Sequence, residues 1–284
     1  MKKSFRTILS VLLVITLLGT NCVFAERSTT ISELFSEETV EWLEWFNNLS
    51  TEDQFSVNYR PYEVIQFLRS KPDRIPNELL AVYHIDNCEP VPESFLSIAS
   101  GGFNKTSLPF GNKSTMPTGG YELAYVPSFW NMFYNNKANC YTYALNFATS
   151  STSLSAQQPG VKSGIPFMML TGMDILAATN NDISVLSNLY SIRSSNATEV
   201  PGTNEYKVAL VIAPGQDYHW YRQNPDGTWS HKRGHLNVSK EDASGNIIDC
   251  PATCDRYYSV FLNYSNFVGY YIIKYNTSAV LTNQ

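Results

Sequence analysis

The stretch DYHWYRQNPDGTWSHK, residues 217–232, decides the fold, because it predicts a β-hairpin with a defined register. Its central Asn-Pro-Asp-Gly at 224–227 suits a type I turn in which the glycine takes a positive φ and forms a bulge. In that register Tyr221 pairs with His231, so His219, Tyr221 and His231 share one face of the hairpin. A two-residue Asp-Gly turn would instead place His231 on the opposite face.

Strong apolar strands lie on both sides of this hairpin, and helical segments precede them. Residues 206–213 (YKVALVIA) and 267–275 (FVGYYIIKY) are predicted to be buried strands. Residues 136–148 and 172–189 have the residue pattern of helices. Helices followed by an antiparallel sheet indicate an α+β domain, in which the helix that carries Cys140 packs on the sheet.

The N-terminal part of the chain has a different pattern. Apolar residues recur on one face of 30–48, with glutamates opposite, and a second short helix is expected over 62–68. Proline and glycine are frequent in 86–120, which marks a boundary. The expected organisation is a signal peptide at 1–25, a helical N-terminal region at 26–100 and the α+β domain at 101–284.

The signal peptide is predicted from three features of the first 25 residues. Lys2, Lys3 and Arg6 are basic, residues 8–18 are apolar, and Val-Phe-Ala at 23–25 supplies small residues for cleavage. Its removal takes three of the 20 basic residues and none of the 25 acidic ones, so the net charge falls from −5 to −8. An acidic chain is not expected to bind nucleic acid.

The remaining chain contains no long apolar run, so no integral membrane segment is expected in the mature protein. We therefore expect a secreted monomer that is extracellular or associated with the cell wall.

Cys140, His219 and His231 are the candidate catalytic residues. Cys140 is expected to begin a helix, where the partial positive charge of the helix end favours a thiolate. A cysteine nucleophile needs a histidine base, and the base needs a partner that fixes its tautomer. His219 opens a predicted strand and is the candidate base, and the hairpin register makes His231 its orienting partner.

Three further polar residues are candidates for supporting roles. Asn139 or Gln223 could stabilise an oxyanion beside the nucleophile, although helix capping is the favoured interpretation of Asn139. Asp217 lies two residues before His219, on the same face of the strand, and is the reserve orienting partner.

Two segments that contain these residues resemble known sequences. NCYTYALN (139–146) and residues 217–232 resemble the NCYxYAL and DYHWYRxxxDGxWSHKxG segments of uncharacterised bacterial secreted proteins. The order of cysteine, strand histidine and polar residue is similar to papain-like cysteine hydrolases of the NlpC/P60 and CHAP type. The resemblance implies a papain-like core and a cysteine peptidase or amidase that cleaves an amide or peptide bond. It also implies a peptide or cell-wall peptidoglycan substrate and no cofactor.

Two alternatives remain open at the level of sequence. His231, His235, Cys250 and Cys254 have the residue types of a Cys2His2 zinc site. In an exported protein Cys250 and Cys254, or either of them with Cys88, would more often form a disulfide. The alternative function is therefore a non-catalytic exported binding protein that disulfides or zinc stabilise.

Overall fold

The structure is a computed structural model of the 284-residue chain. The predicted signal peptide, Cys88 and most of the predicted boundary at 86–120 lie outside the described residues. The described residues fall into two units, one that ends at Leu34 and one that begins at Phe35. The described residues are 30–87, 116–132, 138–147, 158–185 and 189–276.

The described helices all precede the strands in the sequence. Within the described residues, no helix is long and apolar enough to cross a membrane. A 3-10 turn, Asn77–Leu79, leads into the fifth helix. The helices are α1 Ile31–Leu34, α2 Glu37–Asn47, α3 Thr51–Ser56, α4 Tyr62–Arg69, α5 Leu80–Asn87, α6 Pro127–Met132, α7 Cys140–Ala144 and α8 Gly172–Val185.

The single helix predicted over 30–48 is wrong, because the segment forms two helices. α1 ends at Leu34, and Ser36 adopts an extended conformation in which its hydroxyl accepts a hydrogen bond from the backbone of Thr39 at 3.4 Å. A serine in this position satisfies an amide at the start of a helix, so a new helix begins at Glu37 and the first does not continue. The helix predicted over 62–68 is confirmed as α4.

Six strands form one antiparallel sheet in the order β1-β8-β2-β3-β4-β5, and β6 and β7 form a separate pair. The predicted α+β class is confirmed, because α7 and α8 pack on this sheet. The strands are β1 Leu189–Ser195, β2 Glu205–Ala213, β3 Asp217–Gln223, β4 Trp229–Lys232, β5 Val238–Ser239, β6 Tyr257–Ser259, β7 Leu262–Asn263 and β8 Asn266–Tyr275.

The predicted hairpin register is confirmed. Tyr221 is opposite His231, and Gln223 is opposite Trp229. Gly227 has φ +79°, as the bulged turn requires, and the amide of Asn224 donates to the carbonyl of Thr228 at 2.8 Å. Every residue of β3 is buried, so both faces of this central strand are covered.

The two faces of β3 pack against different cores. Tyr218 and Trp220 point toward α7 and belong to a cluster with Cys140 and residues of β2. Tyr221 points to the other face and packs with Trp229 of β4 and with aromatic residues from the C-terminal part of the chain. Alternation along a strand separates these neighbours, and it decides which side chains can meet at the candidate site.

Candidate functional site

Cys140 lies at the first position of α7, as predicted. Asn139 caps the helix: its side-chain oxygen accepts from the backbone of Thr142 at 3.1 Å, and the Thr142 hydroxyl accepts from the backbone of Asn139 at 2.8 Å. This reciprocal capping box explains why the chain begins a helix here. The capping interpretation of Asn139 is therefore confirmed.

The thiol of Cys140 is sealed inside the protein. Its residue has no exposed surface, and Sγ lies 3.9 Å from the carbonyl oxygen of Tyr218. Burial raises the pKa of Cys140 well above its usual value, and the nearby charge of Asp217 raises it further. Hydrogen bonds from the backbone and the charge of Lys232 act in the opposite direction but do not overcome burial. The group is therefore a protonated thiol at neutral pH.

His219 and His231 contact each other directly, as the hairpin register predicts. His219 Nε2 lies 2.8 Å from His231 Nδ1, and the ring centroids are 5.0 Å apart. His231 Nε2 lies 2.9 Å from the carbonyl oxygen of Glu241. At the other end, Nδ2 of Asn58 lies 3.4 Å from His219 Nδ1.

These contacts assign the tautomer of both rings. A carbonyl oxygen can only accept, so His231 Nε2 carries a proton and donates it to Glu241. His231 Nδ1 is then the acceptor for His219 Nε2, and His219 Nδ1 accepts from Asn58. The result is one directed chain, Asn58 to His219 to His231 to Glu241, in which each ring nitrogen has a protein partner.

Both histidines are neutral in this chain. Burial lowers the pKa of His231 to about 3 and that of His219 well below its usual value. The other histidine adds to the effect on His219, and the charge of Arg233 acts on both rings. A neutral imidazole is also what the assigned hydrogen bonds require, so the two arguments agree.

Asn58 is the residue at the centre of the site, and no local sequence pattern pointed to it. It lies after α3 and is 5% exposed. Its side-chain oxygen accepts from the backbone of Cys140 at 3.2 Å and of Gly234 at 3.0 Å. Its side-chain nitrogen lies 3.0 Å from the carboxylate of Asp217 and 3.2 Å from the carbonyl oxygen of Tyr218, and it contacts His219 Nδ1 at 3.4 Å. One amide therefore joins α7, β3 and the segment after β4.

Asp217 holds the loop that carries Asn58. Its carboxylate accepts from the backbone of Asn58 at 2.9 Å, from the backbone of Tyr59 at 2.6 Å and from the hydroxyl of Tyr264 at 2.7 Å. Burial raises the pKa of Asp217 to about 6, against the lowering effect of these hydrogen bonds. The predicted role of Asp217 as a reserve partner for His219 is replaced by this contact with the N-terminal region.

The backbone after β4 approaches the same loop closely. Gly234 has φ +45°, and a Cβ at this position would overlap the carbonyl oxygen of Phe55. The neighbouring Lys232 is buried, and its ammonium group donates to the carbonyls of Gly234 and Leu236, both at 2.9 Å. Burial lowers the pKa of Lys232 to about 7. A glycine is needed at position 234 because the backbone there meets the backbone of residues 55–56.

The structure does not bring the predicted catalytic residues together as a nucleophile and its base. Cys140 packs on the face of β3 that carries Tyr218 and Trp220, whereas His219 points to the opposite face. Among the described residues, the thiol has a carbonyl as its hydrogen-bond partner and no histidine. Cys140 and His219 are connected only indirectly, because both contact Asn58.

Gln223 is also used for structure. Its side-chain nitrogen donates to the carbonyls of Met116 and Pro117 at 3.1 and 3.3 Å. It therefore anchors residues 116–117 to the sheet and is not placed beside Cys140.

The alternative zinc site is not formed. In the part of the chain that the structure describes, no three His, Cys, Asp or Glu side chains are grouped as metal ligands. His231 binds His219, His235 packs edge-on against Phe55, and Cys250 lies beside Tyr270. His231, His235 and Cys250 therefore each make a separate contact and do not converge on one site. Cys140, Cys250 and Cys254 are free thiols, so the alternative Cys250–Cys254 disulfide is not formed either.

Comparison with known proteins finds a relative among shell matrix proteins. The chain is similar to "Insoluble matrix shell protein 1" of the clam Ruditapes philippinarum, with 36% identity over 147 residues. The aligned part is 51% of this chain and 86% of the clam protein. No family model matches the chain. No solved structure matches it.

Proposed function

The chain belongs to the same family as insoluble matrix shell protein 1, and on that premise we propose that it is a secreted, non-catalytic component of an extracellular matrix. In this proposal Cys140, His219 and His231 stabilise the fold and do not perform hydrolysis. The similarity to a shell matrix protein suggests an extracellular protein, and the predicted signal peptide supports the same location.

The observation that carries the proposal is the closed hydrogen-bond chain through the two histidines. A general base must have a free acceptor nitrogen within reach of the proton that it removes. The acceptor nitrogen of His219 faces the side-chain nitrogen of Asn58 at 3.4 Å, and that of His231 is occupied by His219 at 2.8 Å. Both rings and the thiol of Cys140 are also shielded from solvent, at 0%, 2% and 0% exposure. Substrate could reach these groups only if the core opened.

The first experiment measures the reactivity of the thiols in the native protein. The full chain is treated with iodoacetamide, digested with trypsin and mapped by mass spectrometry. We expect Cys140 to remain unlabelled until denaturant is added, because it is buried and protonated. The partly exposed Cys250 is an internal control that should be labelled without denaturant. Labelling of native Cys140 as fast as Cys250 would contradict the proposal.

The competing function is the cysteine hydrolase that the sequence resemblance implies. One observation favours it: Cys140 begins a helix, and both its backbone N–H and the ring of His219 contact the side chain of Asn58. Peptidoglycan and a casein substrate are incubated with the wild-type chain and with Cys140→Ala. Equal background rates support the matrix function. Turnover that is lost in Cys140→Ala while the circular dichroism spectrum is unchanged would establish the hydrolase instead.

A second experiment tests the location. The tagged full chain and a control that lacks residues 2–25 are expressed in secreting animal cells, which are then separated into cell, medium and detergent-insoluble pericellular fractions. We expect the full chain in the pericellular fraction and the control inside the cells. Recovery of the full chain only from the soluble medium, or only from inside the cells, would refute a matrix role.

A further inference from the structure

Cys250 and Cys254 lie in one tight turn after the hairpin, outside the buried site. The amide of Cys254 donates to the carbonyl of Cys250 at 2.9 Å, and the amide of Thr253 donates to the same oxygen at 3.1 Å. An i+4 to i hydrogen bond of this kind places the two Cα atoms about 6 Å apart, as in one helical turn. That separation lies within the range that a disulfide can span.

Both cysteines lie partly at the surface, and neither is in a disulfide. Both residues are partly exposed, and both are free thiols. Cys250 Sγ lies 3.3 Å from the hydroxyl of Tyr270, and the thiol of Cys254 donates to the carbonyl of Pro251 at 3.6 Å. Exposure to solvent is the first requirement for exchange with a dissolved reagent, and Cys140 does not meet it.

The surroundings of the two thiols differ in a way that gives them different roles. Partial burial raises the pKa of Cys250, but hydrogen bonds from Thr253, Tyr270 and the backbone of Ala252 outweigh it, so that the pKa lies below its usual value. Burial raises the pKa of Cys254 to about 12, although the charge of Arg256 acts against it. Cys250 therefore has the larger thiolate fraction and is the better first nucleophile.

We propose that Cys250 and Cys254 form a redox-active dithiol that exchanges with low-molecular-weight disulfides outside the cell. The Cys250 thiolate attacks one sulfur of the small disulfide, forms a mixed disulfide and releases the other half as a thiolate. Cys254 then loses its proton to solvent and attacks Cys250 Sγ, which forms the Cys250–Cys254 disulfide and releases the second small thiol. Two protein thiols are oxidised, and one small disulfide is reduced to two thiols.

The position of the turn gives this exchange a structural consequence. Ala252 and Cys254 pack against the cluster that contains Tyr221 and Trp229, and Arg256 donates to the carbonyl of Pro251 at 2.6 Å. Closing the disulfide fixes the turn against that cluster without a contact to Cys140. This inference does not depend on whether the chain acts as a matrix protein, since it concerns only these two thiols.

The experiment treats the full native chain with oxidised glutathione, stops the reaction with iodoacetamide and maps the tryptic peptides. Residues 241–256 form one tryptic peptide that contains Cys250 and Cys254 and no other cysteine. We expect this peptide to lose two hydrogens and to carry no glutathione. A mixed disulfide that persists, an unchanged peptide or a link from Cys250 to the peptide that contains Cys88 would overturn the proposal.

Two serine variants test the order of the steps. Cys254→Ser should accumulate glutathione on Cys250, because the resolving thiol is gone. Cys250→Ser should form the adduct on Cys254 at least about tenfold more slowly, because fewer thiolates are present. Both variants must retain the urea midpoint of the reduced wild type within error, which shows that the turn remains folded. Equal adduct rates in the two variants would assign no first nucleophile and refute the mechanism.

Discussion

Replacement of Asn58 by alanine tests whether one buried amide holds the site together. The variant leaves the backbone N–H groups of Cys140 and Gly234 without their acceptor, and it removes the donor that faces His219. A buried donor that loses its partner costs about 1–3 kcal/mol. The two amides alone therefore predict a loss of about 2–6 kcal/mol in the free energy of unfolding. That is a large part of the total stability of a typical domain.

The assay is equilibrium unfolding in urea, followed by tryptophan fluorescence, with the full chain in every case. Asn47→Ala is the matched control, because Asn47 is exposed and its side chain donates to the carbonyl of Glu78 at 2.8 Å. We expect this control to remain within about 0.5 kcal/mol of wild type. A loss below about 1 kcal/mol for Asn58→Ala, or equal losses in the two variants, would refute the central role of Asn58.

Asn58→Asp separates the loss of hydrogen bonds from the loss of volume. The aspartate has nearly the same size and keeps an acceptor for Cys140 and Gly234. Its second carboxylate oxygen replaces the side-chain nitrogen of Asn58, which lies 3.0 Å from the carboxylate of Asp217. Like charges this close raise the pKa of one carboxyl group. The destabilisation relative to wild type should therefore shrink as pH falls from about 8 to about 5.5. A difference that does not depend on pH would show that the volume of residue 58 matters and its charge does not.

Three further predictions concern the same fold. Gly234→Ala should lower the free energy of unfolding by more than about 2 kcal/mol, because its Cβ meets the backbone of residues 55–56. Gly215 also has a positive φ but has open space around it, so Gly215→Ala should lower the free energy of unfolding by about 1 kcal/mol. Equal losses in urea unfolding would contradict this. Because the unfolded chain binds a proton on His231 below about pH 6.5 and the folded chain does so only near 3, stability falls on acidification through this window. His231→Gln should reduce the slope of the free energy of unfolding against pH by up to about 1.4 kcal/mol per pH unit between about pH 6 and 4. Asp217, whose pKa is raised to about 6, stabilises the folded chain on acidification, but it is present in both proteins and its effect is the same in each. The described Asn-x-Ser/Thr sequons have exposed asparagines, namely Asn48, Asn196, Asn237, Asn263 and Asn276. Expression through a eukaryotic secretory pathway should therefore attach N-glycans, and their removal by an amidase should shift the electrophoretic mobility of the protein. A complete lack of glycans would refute the exposure of these asparagines.

The sequence predicted those features that local chemistry determines. The Asn-Pro-Asp-Gly turn fixes the register of β3 and β4, and the register brings His219 to His231. Asn139 reveals the start of α7 because a cap and its partner are three residues apart. β1, by contrast, was not predicted: LYSIRSS is a polar strand at the edge of the sheet, so it lacks the apolar pattern that marks β2 and β8.

Asn58 could not be predicted for a different reason. Its partners Cys140, Asp217 and Gly234 are between 82 and 176 residues away along the chain, and the segment that contains it has no motif. Long-range contacts of this kind depend on how the loop after α3 docks on the sheet, which no local pattern describes. The sequence therefore identified the polar residues of the site but not the residue that joins them.

The side of the strand on which a residue lies accounts for the difference between the expected dyad and the observed network. A helix that packs on a sheet meets alternate residues of a strand, so α7 faces Tyr218 and Trp220 and not the residue between them. His219 would face Cys140 if β3 were shifted by one residue. That shift would also turn Trp220 away from its cluster and place the carboxylate of Asp217 on the face opposite to Asn58. The hairpin turn, the two aromatic clusters and the Asp217–Asn58 contact all favour the observed register. The order of a cysteine and a histidine along the sequence therefore does not determine whether the two side chains meet, because the register of one strand decides which residues share a face.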